Sequence, residues 1–598
     1  MNDDTSYTNL QTAWTSKRYY EVGLIGFILG VSNNLYLFNN IKILGAGFIG
    51  PCFFFFLIVG IPLVILELSL SQYGQKGMIR IWALCPIQKG MGYLCLLYLL
   101  TMLVEELSAL SYLARYIINS FSSQSGWDSC NNYWNTEFCF TLETNVSRRL
   151  DCYDAIGKYN CDKAVWQSSH CQYWWNVVQN IDMGLFQWKS IGYCFGVTLI
   201  AFAFTFKGIV VIEKVVYWSL VFAAIEFTIL LYCSFIQHGS GKGLVYLFHW
   251  DWKLFKKKST WIICIKYVIN SIGLGSGGLR TLGAQNKFRG HSYMNSMMLI
   301  LVTMTVTVLY YLLYLSLCGN LSYFSNQTIE EIMRDEEPEF WSKVPRMLQR
   351  LGGPKRLWQC IFYSQVFLIL FSKCILVTFV MVRTVFNRFP MAENYFVITS
   401  SVVYACAFIC CAPMFTVFGT FLLKQLTWIA CRGPMILLMN FIQNTVILYV
   451  YGLTTVVDDL HFMLGFRLAF YWQILLFLSP VILCIMWITS LWDFYHWLKV
   501  IYLTVAEKLI MNAAAYSPLF ISIGYPIWYM RWMIWRCKFE NVLRPSDNWY
   551  LSDPILRKSR QMFSAMSMTK EYLYRQTKKQ EKAAYDIDID ETIDEEAA

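Results

Sequence analysis

Trp261–Phe288 reads WIICIKYVINSIGLGSGGLRTLGAQNKF. It begins and ends as an apolar membrane helix would, but its middle is Ser271-Ile272-Gly273-Leu274-Gly275-Ser276-Gly277-Gly278. A solvated helix loses roughly 1 kcal/mol at each such glycine. In hydrocarbon, irregular backbone survives only where protein buries it or where it lines a cavity. Two half-helices with free carbonyls and amides at mid-membrane suit ion and solute binding, as in many secondary transporters. A glycine face packed on a neighbouring helix is the other reading. It accounts for two glycines better than for four in six residues.

The rest of the chain agrees with a membrane setting. It has 598 residues, of which 56% are hydrophobic, the composition of a polytopic membrane protein rather than a soluble domain. Apolar segments of about 20 residues recur, and about 12 can be counted. An all-α polytopic membrane protein is therefore expected, with the lipid bilayer as its surroundings. The N-terminus is polar and the first apolar segment long, which does not fit a cleavable signal. The net charge of +10 sits mostly in short connections, as the positive-inside bias predicts. It is not a nucleic-acid signal. The 20 cysteines lie mainly in apolar segments, where a free Cys is a small buried residue. Zinc spacing, a Ser/His/Asp set and a phosphate loop are missing from the sequence, so no enzyme is expected.

Residues 1–20 are polar, and Lys17 and Arg18 place this end in the cytoplasm. Span 1, about Glu21 to Ile41, holds GVSNNLYLFNN (Gly30–Asn40). Its asparagines and serine are costly unless they face partners or a cavity. Span 2, about Phe48 to Leu70, runs into GIPLVILELSLSQY (Gly60–Tyr73). A basic connection (Lys76, Arg80, Lys89) then returns the chain inside.

GAGF (Gly45–Phe48), GIPLVILELSLSQYGQKG (Gly60–Gly77) and CPIQKGMGY (Cys85–Tyr93) resemble the neurotransmitter and amino-acid sodium symporters, solute carrier family 6. QNKF (Gln285–Phe288), after the broken segment, resembles that family's sixth helix. The resemblance runs from about Trp14 to Met533. It implies a leucine-transporter-like fold, with spans 1–5 and 6–10 as inverted repeats and spans 1 and 6 both broken at a central site. The chain then divides into a cytoplasmic tail (1–20), a transporter domain (21–536) and a second cytoplasmic tail (537–598), basic first and acidic at its end.

Span 3, about Met91 to Ile118, contains Glu105-Glu106. The long polar loop 119–189 includes SCNNYWNTEFC (Ser129–Cys139), which looks like the family's second extracellular loop and implies a Cys130–Cys139 disulfide. Cys152, Cys161 and Cys171 leave an odd total. Sequons begin at Asn145, Asn320 and Asn326. Glycosylation is expected at Asn145 and Asn326, Asn320 being close to the membrane. Spans 4 and 5 fall near Ser190–Phe206 and Lys214–Ile236. Span 7 is expected near Asn295–Cys318 and span 8 near Leu357–Val382. The loop between them, 320–356, looks like the family's fourth outer loop. Spans 9 to 12 are expected near Tyr395–Phe415, Leu426–Tyr451, Ala469–Leu491 and Ala513–Trp535.

The family's site can be carried across residue by residue. Counting forward from Trp14 puts Asn33 at the sodium-binding asparagine; counting back from Phe48 puts Ser32 there. The first count, which we prefer, also places Gly26 and Leu29 among the carbonyl ligands of the other sodium site. The cationic gate residue becomes Leu35 or Tyr36, and its acidic partner becomes Thr427. Both halves of that salt bridge are missing together, which avoids a lone charge in a semi-buried gate. The tyrosine that meets the substrate carboxylate aligns with Glu106, which would repel another carboxylate by a few kcal/mol at an effective dielectric near about 20. The monoamine carriers' aspartate falls on Leu29 or Gly30, so a monoamine site is not expected either. In span 6, Ser271 keeps the sodium-site hydroxyl and Asn270 replaces the gating aromatic. Gly273 and Gly275 complete the expected substrate lining, and the span 7 asparagine becomes Thr303. The chloride-site positions fall on Cys52, Tyr267, Ser271, Thr303 and Thr307, which keep the hydroxyls only in part and leave chloride open.

The second sodium site's hydroxyl or acidic pair aligns with Ser372-Lys373. An ammonium there would take the space and charge of the ion. A mid-membrane lysine costs about 2.5–3.5 kcal/mol and needs partners, for which carbonyls of broken span 1 and Glu106 are candidates. The other reading has span 8 rotated or the count one off, with Lys373 reaching into a water-filled vestibule. Glu105, Glu106, Lys266 and Arg280 add charge to apolar faces, some of it near helix ends in water.

The resemblance implies a plasma-membrane, sodium-coupled symporter of a small amino-acid-like or neurotransmitter-like solute, with both termini inside. Spans 1, 2, 6 and 7 would rock against the rest. Two rivals stand beside it: a transport-silent relative acting as an accessory partner, and a sodium-independent carrier using Lys373. Homo- and hetero-oligomers are both left open.

Overall fold

The computed structural model describes residues 14–121, 126–141, 166–179, 187–249, 252–325, 327–334, 337–416, 425, 429, 433–500, 504–535, 543–546, 549, 551 and 553–563. Asn145, Asn326, Cys152, Cys161, Thr427 and the segments 1–13 and 564–598 lie outside the described residues. The chain is helical nearly throughout. The one sheet among the described residues is a parallel pair of two-residue strands, Cys139–Phe140 with Gln167–Ser168, in the connection after span 3.

Nine helices among the described residues are long and apolar enough to cross a membrane. One of them is a continuous run, Asn33–Gly74, that joins the second half of span 1 to span 2 through a 3-10 turn at Gly45–Phe48. Span 6 escapes a length criterion because it is split into pieces of 15 and 6 residues. The last span, Val505–Trp535, is diluted by Pro518, Pro526 and its charged residues. Adding these segments back restores the roughly 12 spans read from hydropathy.

Both expected interruptions are present. Span 1 is Lys17–Ile28 followed by Val31–Leu44. Ser16 starts it as an N-cap, accepting the Tyr19 N–H. Leu29 and Gly30 between the halves are extended. Span 6 is Lys258–Ile272 followed by Gly278–Gly283. Gly273, Gly275 and Gly277 sit at φ +75°, +75° and +79°, a left-handed conformation that costs an L side chain about 1–2 kcal/mol. Gly278 has a different duty: a Cβ there would meet the Phe27 ring at 2.0 Å. It lets the second half of span 6 lie against the first half of span 1.

Helix ends overrun the sequence boundaries. Spans 7 and 8 are Ser292–Ser325 and Lys355–Arg388, of 34 residues each. At about 1.5 Å per residue they extend well past a hydrocarbon core of about 30 Å. Their polar ends continue the helix in water, where an apolar window no longer registers them. Span 10 is Pro434–Thr445 and Leu453–Leu464, joined by a π-helical turn at Val446–Gly452.

Burial orders the bundle. The apolar window of span 8 is 89% buried, against 22% for span 5 and 28% for span 11. Span 8 therefore runs through the centre, packed along span 3, while spans 5 and 11 keep apolar faces outward. The Cys130–Cys139 disulfide is formed, with Cα atoms 5.8 Å apart, and Cys171 is a buried free thiol. The segment after span 12 was expected as a polar tail, but part of it folds back on the bundle. Ser546 N–H donates to the Ala83 carbonyl (2.9 Å), Lys76 Nζ to the Trp549 carbonyl (2.8 Å), and Arg560 pairs with Asp459 (2.8 Å).

Candidate transport site at the two helix breaks

Val31 opens the second half of span 1, so its N–H has no partner within the helix. Glu106 of span 3 supplies one: Oε1 accepts it at 3.2 Å. Lys373 Nζ of span 8 lies 3.4 Å from the same oxygen. The space is tight, since a Cβ on Gly30 would fall 2.4 Å from Lys373 Nζ and 2.6 Å from Glu106 Oε1. Only glycine allows the three elements to meet here. At an effective dielectric near 20, the pair attracts by about 5 kcal/mol, which has to offset a desolvation cost of several kcal/mol per ion. A Lys373 reaching into a vestibule would expose its tip, but the side chain is 2% exposed. Glu106 Oε2 is buried without a hydrogen-bond partner.

Asn33 links the two breaks. Its Nδ2 donates to the Ile28 carbonyl at 3.1 Å and to the Ser271 carbonyl at 3.3 Å. Its Oδ1 is buried and unpartnered. Turned end for end, the amide would bring its oxygen beside two carbonyls. Three such oxygens tolerate one another only around a cation, and hard oxygen donors are what a sodium ion takes. The residues present thus fit such an ion. Ser32 lies in the same turn of helix.

The other expected ligands are scattered around this point. Ser271 Oγ donates to the Val268 carbonyl, Thr303 Oγ1 to Leu299 and Ser372 Oγ to Leu368, so each hydroxyl proton is turned back on its own helix. Leu29 is buried at the first break. Gly26 packs against spans 8 and 5, where a Cβ would meet Leu376 Cδ1 at 2.9 Å and Val216 Cγ1 at 3.0 Å. Asn270 Oδ1 accepts from the Tyr98 hydroxyl at 3.3 Å. Of the positions considered for chloride, Tyr267 and Thr307 bond one another at 2.8 Å, and Cys52 is buried.

At the second break, Glu67 of span 2 is central. Its Oε1 accepts the Gly275 N–H at 2.9 Å and Arg280 Nη2 at 2.9 Å. The Leu274 carbonyl accepts from Asn440 Nδ2 (3.1 Å), and the Gly275 carbonyl from Gln443 Nε2 (3.0 Å) and Cys95 Sγ (3.4 Å). Every one of these backbone groups would otherwise be orphaned in the bundle. Arg280 is 1% exposed and paired with Glu67. Glu67, Asn440 and Gln443 had been given no role. Glu67 stands inside the quoted GIPLVILELSLSQY motif, and an intramembrane carboxylate is itself a signal. Asn440 and Gln443 share a helix face at i, i+3.

A cavity of about 340 Å³ lies beside the first break. Val31, Leu35 and Tyr36 of span 1, Glu105 and Tyr112 of span 3, and Phe340 and Trp341 of the loop before span 8 line it. Tyr36, one of the two positions expected for the missing cationic gate residue, donates from its OH to Glu105 Oε1 in this lining. Elsewhere, Trp14 Nε1 donates to Gln285 Oε1 at 2.8 Å, and Thr15 bonds Glu213, tying the chain before span 1 to spans 5 and 6. Asn33, Glu106, Ser271 and Lys373 are each no more than 3% exposed, so the site is shut from solvent in this conformation.

The chain is 26% identical to the sodium-dependent serotonin transporter of Drosophila melanogaster over 80% of its own length and 76% of that protein's. It is 24% identical to the sodium- and chloride-dependent creatine transporter 1 of Mus musculus, over 76% of the chain and 72% of the relative. It is also 24% identical to the sodium-dependent dopamine transporter of Caenorhabditis elegans, over 77% of each. These relatives are named as transporters. The model of the sodium:neurotransmitter symporter family matches residues 11–534. That stretch takes in both helix breaks and all the spans, and the chain belongs to the sodium:neurotransmitter symporter family.

Proposed function

We propose that this chain is a plasma-membrane symporter that couples sodium to the movement of a small organic solute of neurotransmitter size, with both termini cytoplasmic. The solute lodges between the breaks of spans 1 and 6. One sodium ion sits among Asn33 Oδ1 and the Ile28 and Ser271 carbonyls. The observation that carries this reading is the buried Asn33 amide, whose Nδ2 reaches the Ile28 and Ser271 carbonyls and whose Oδ1 has no partner, so that turning the amide gathers three oxygens at one point. The serotonin, dopamine and creatine relatives, all named as sodium-dependent, support the coupling ion.

A specific contact favours one refinement. Lys373 Nζ at 3.4 Å from Glu106, against Gly30, supplies a fixed positive charge where a second sodium was expected. In this reading Lys373 takes that ion's place, and Gly26, Leu29 and Ser372 coordinate nothing.

The test is uptake by proteoliposomes of the full chain, with sodium replaced by potassium and chloride by gluconate. Sodium-dependent uptake of first order in sodium supports the reading. Uptake indifferent to sodium moves it to a sodium-independent carrier, and absence of uptake across a broad solute panel moves it to a transport-silent partner. Wild-type sodium dependence that disappears in Lys373→Ser would count against the lysine substitution, as would a sodium ion resolved beside Lys373.

A further inference from the structure

We propose that the acidic run near the end of this chain, Asp586–Glu596, docks in a cationic cavity at the N-terminal end of span 1 and braces that end shut. The cavity, of about 560 Å³, lies where the residues before span 1 meet the connection from span 6 to span 7. Lys17, Lys287, Arg289 and His291 line it, and no carboxylate does among the described residues. Lys17 pairs with Glu21 at 3.6 Å on the same helix, whereas Lys287 and Arg289 have no ion pair among the described residues. Deeper in, Asn295 is 3% exposed, and its side-chain amide has no hydrogen-bond partner among the described residues. Gln285, whose oxygen takes the Trp14 indole N–H, keeps Nε2 buried and unpartnered. Buried donors are costly until an acceptor reaches them. Cations at the rim and free amides inside make a seat for an anion that brings several acceptor oxygens.

The chain carries such an anion itself. Asp586–Glu596 holds seven carboxylates and no lysine or arginine, the pattern of an interaction tail. The described part of the tail ends beside the cavity. Phe563 packs edge-on against Phe462 at 5.4 Å, and Phe462 packs against Phe288 at 6.0 Å. Phe288 stands between Lys287 and Arg289. From Phe563 to Asp586 the chain runs 23 residues, which span roughly 25 Å as a coil and roughly 75 Å when extended. The acidic run therefore reaches the cavity without displacing any described element. The tether also raises its effective concentration to the millimolar range, which an untethered polyanion has to match. A tail seated there touches both the start of span 1 and the connection to span 7, so it reinforces the Trp14–Gln285 bond that already joins them. The inference goes beyond the carrier reading and does not depend on it.

The experiment places the photocrosslinker p-benzoylphenylalanine at Ile589, inside the acidic run, in purified full chain held in nanodiscs of neutral phosphatidylcholine. Irradiation should link it, within one chain, to residues 14–20 or 285–295, read by peptide mass spectrometry. Lys287→Ala combined with Arg289→Ala changes two exposed side chains and should cut the yield roughly tenfold. Raising salt from about 50 mM to about 500 mM should cut it as well, since exposed ion pairs are screened. A second measurement leaves the cavity unaltered: amide exchange of residues 15–20 should be at least roughly threefold faster in a chain ended after Tyr585 than in the full chain. Links confined to residues 564–585, links only between two chains, or a yield unchanged in the double variant overturn the proposal. Equal amide exchange with and without the acidic run does the same. A yield that falls to background when an anionic phospholipid is added to the nanodisc gives the cavity to a lipid headgroup and also overturns it. The carrier reading stands or falls separately, on uptake.

Discussion

Replacing Lys373 with Met removes an ammonium while keeping an unbranched side chain of similar reach. Glu106 then keeps one hydrogen bond, from the Val31 N–H, and loses its cation. At 3.4 Å and an effective dielectric near 20, the lost attraction is about 5 kcal/mol. Breaking a buried pair from one side costs about 3–5 kcal/mol in practice, because the survivor is left charged and buried. Glu106→Gln should cost a comparable amount from the other side, although the amide oxygen can still accept the Val31 N–H. The double variant leaves no unpaired charge and should lose far less than the two single losses added together. The coupling from the cycle should be about 2 kcal/mol or more. Thermal unfolding of detergent-solubilised full chain, with wild type, both singles and the double side by side, gives the order directly. Both singles should melt below the double. If the double's loss equals the summed losses of the singles, Lys373 and Glu106 do not act as a pair, and the account of the first break is wrong.

Three further outcomes are expected. Asn33→Ala should abolish the stabilisation that sodium gives over potassium, read as the difference in melting temperature between the two salts. Gly275→Ala places a side chain at φ +75° and 2.5 Å from Asn440 Nδ2; it should cost about 1–3 kcal/mol from backbone strain, more with the collision, and lower the melting temperature. In the loop after span 3, burial drives His170 from 6.5 down to about 4, with Arg346 pushing the same way and Asp128 and Glu337 opposing. Its Nε2 accepts from Gln359 Nε2 at 3.1 Å, and that amide also donates to the Pro345 carbonyl and accepts from Trp127 Nε1. The folded chain holds the ring neutral and the unfolded chain protonates first. The stabilisation is therefore full above about pH 6.5 and is lost as pH falls toward about 4, by about 3 kcal/mol. His170→Asn should flatten the dependence of melting temperature on pH across that window.

The two breaks were legible because their residue types are expensive at membrane depth: glycines at Gly273, Gly275 and Gly277, asparagines at Asn33 and Asn34. Their partners were less so. Glu67 is 208 residues from Gly275, and nothing local in GIPLVILELSLSQY says which backbone amide its carboxylate will reach. Glu106 could be read as hostile to a carboxylate, but its bond to Val31 depends on how spans 1 and 3 pack. The sequence left open which of Glu105, Glu106, Lys266 and Arg280 lie near helix ends in water, because that depends on packing; the six-residue piece that carries Arg280 is buried against Trp82 and Glu67.

The placement of the two ion pairs at the breaks decides how costly a conformational stroke is. Glu67 and Arg280 both ride on spans 2 and 6, while Glu106 and Lys373 both belong to spans 3 and 8. If spans 1, 2, 6 and 7 tilt as one body, neither pair is pulled apart. The bonds that cross the boundary include neutral contacts, from Asn440, Gln443 and Cys95 to the span 6 carbonyls and from Tyr98 to Asn270, and hydrogen bonds to single carboxylates, from Val31 to Glu106, from Tyr36 to Glu105 and from Thr15 to Glu213. A typical hydrogen bond contributes only about 0.5–1.5 kcal/mol, and one to a charged group about 1.5–3. The hinge line runs between these two pairs, so the molecule can change shape by trading small increments without separating either ion pair at the breaks.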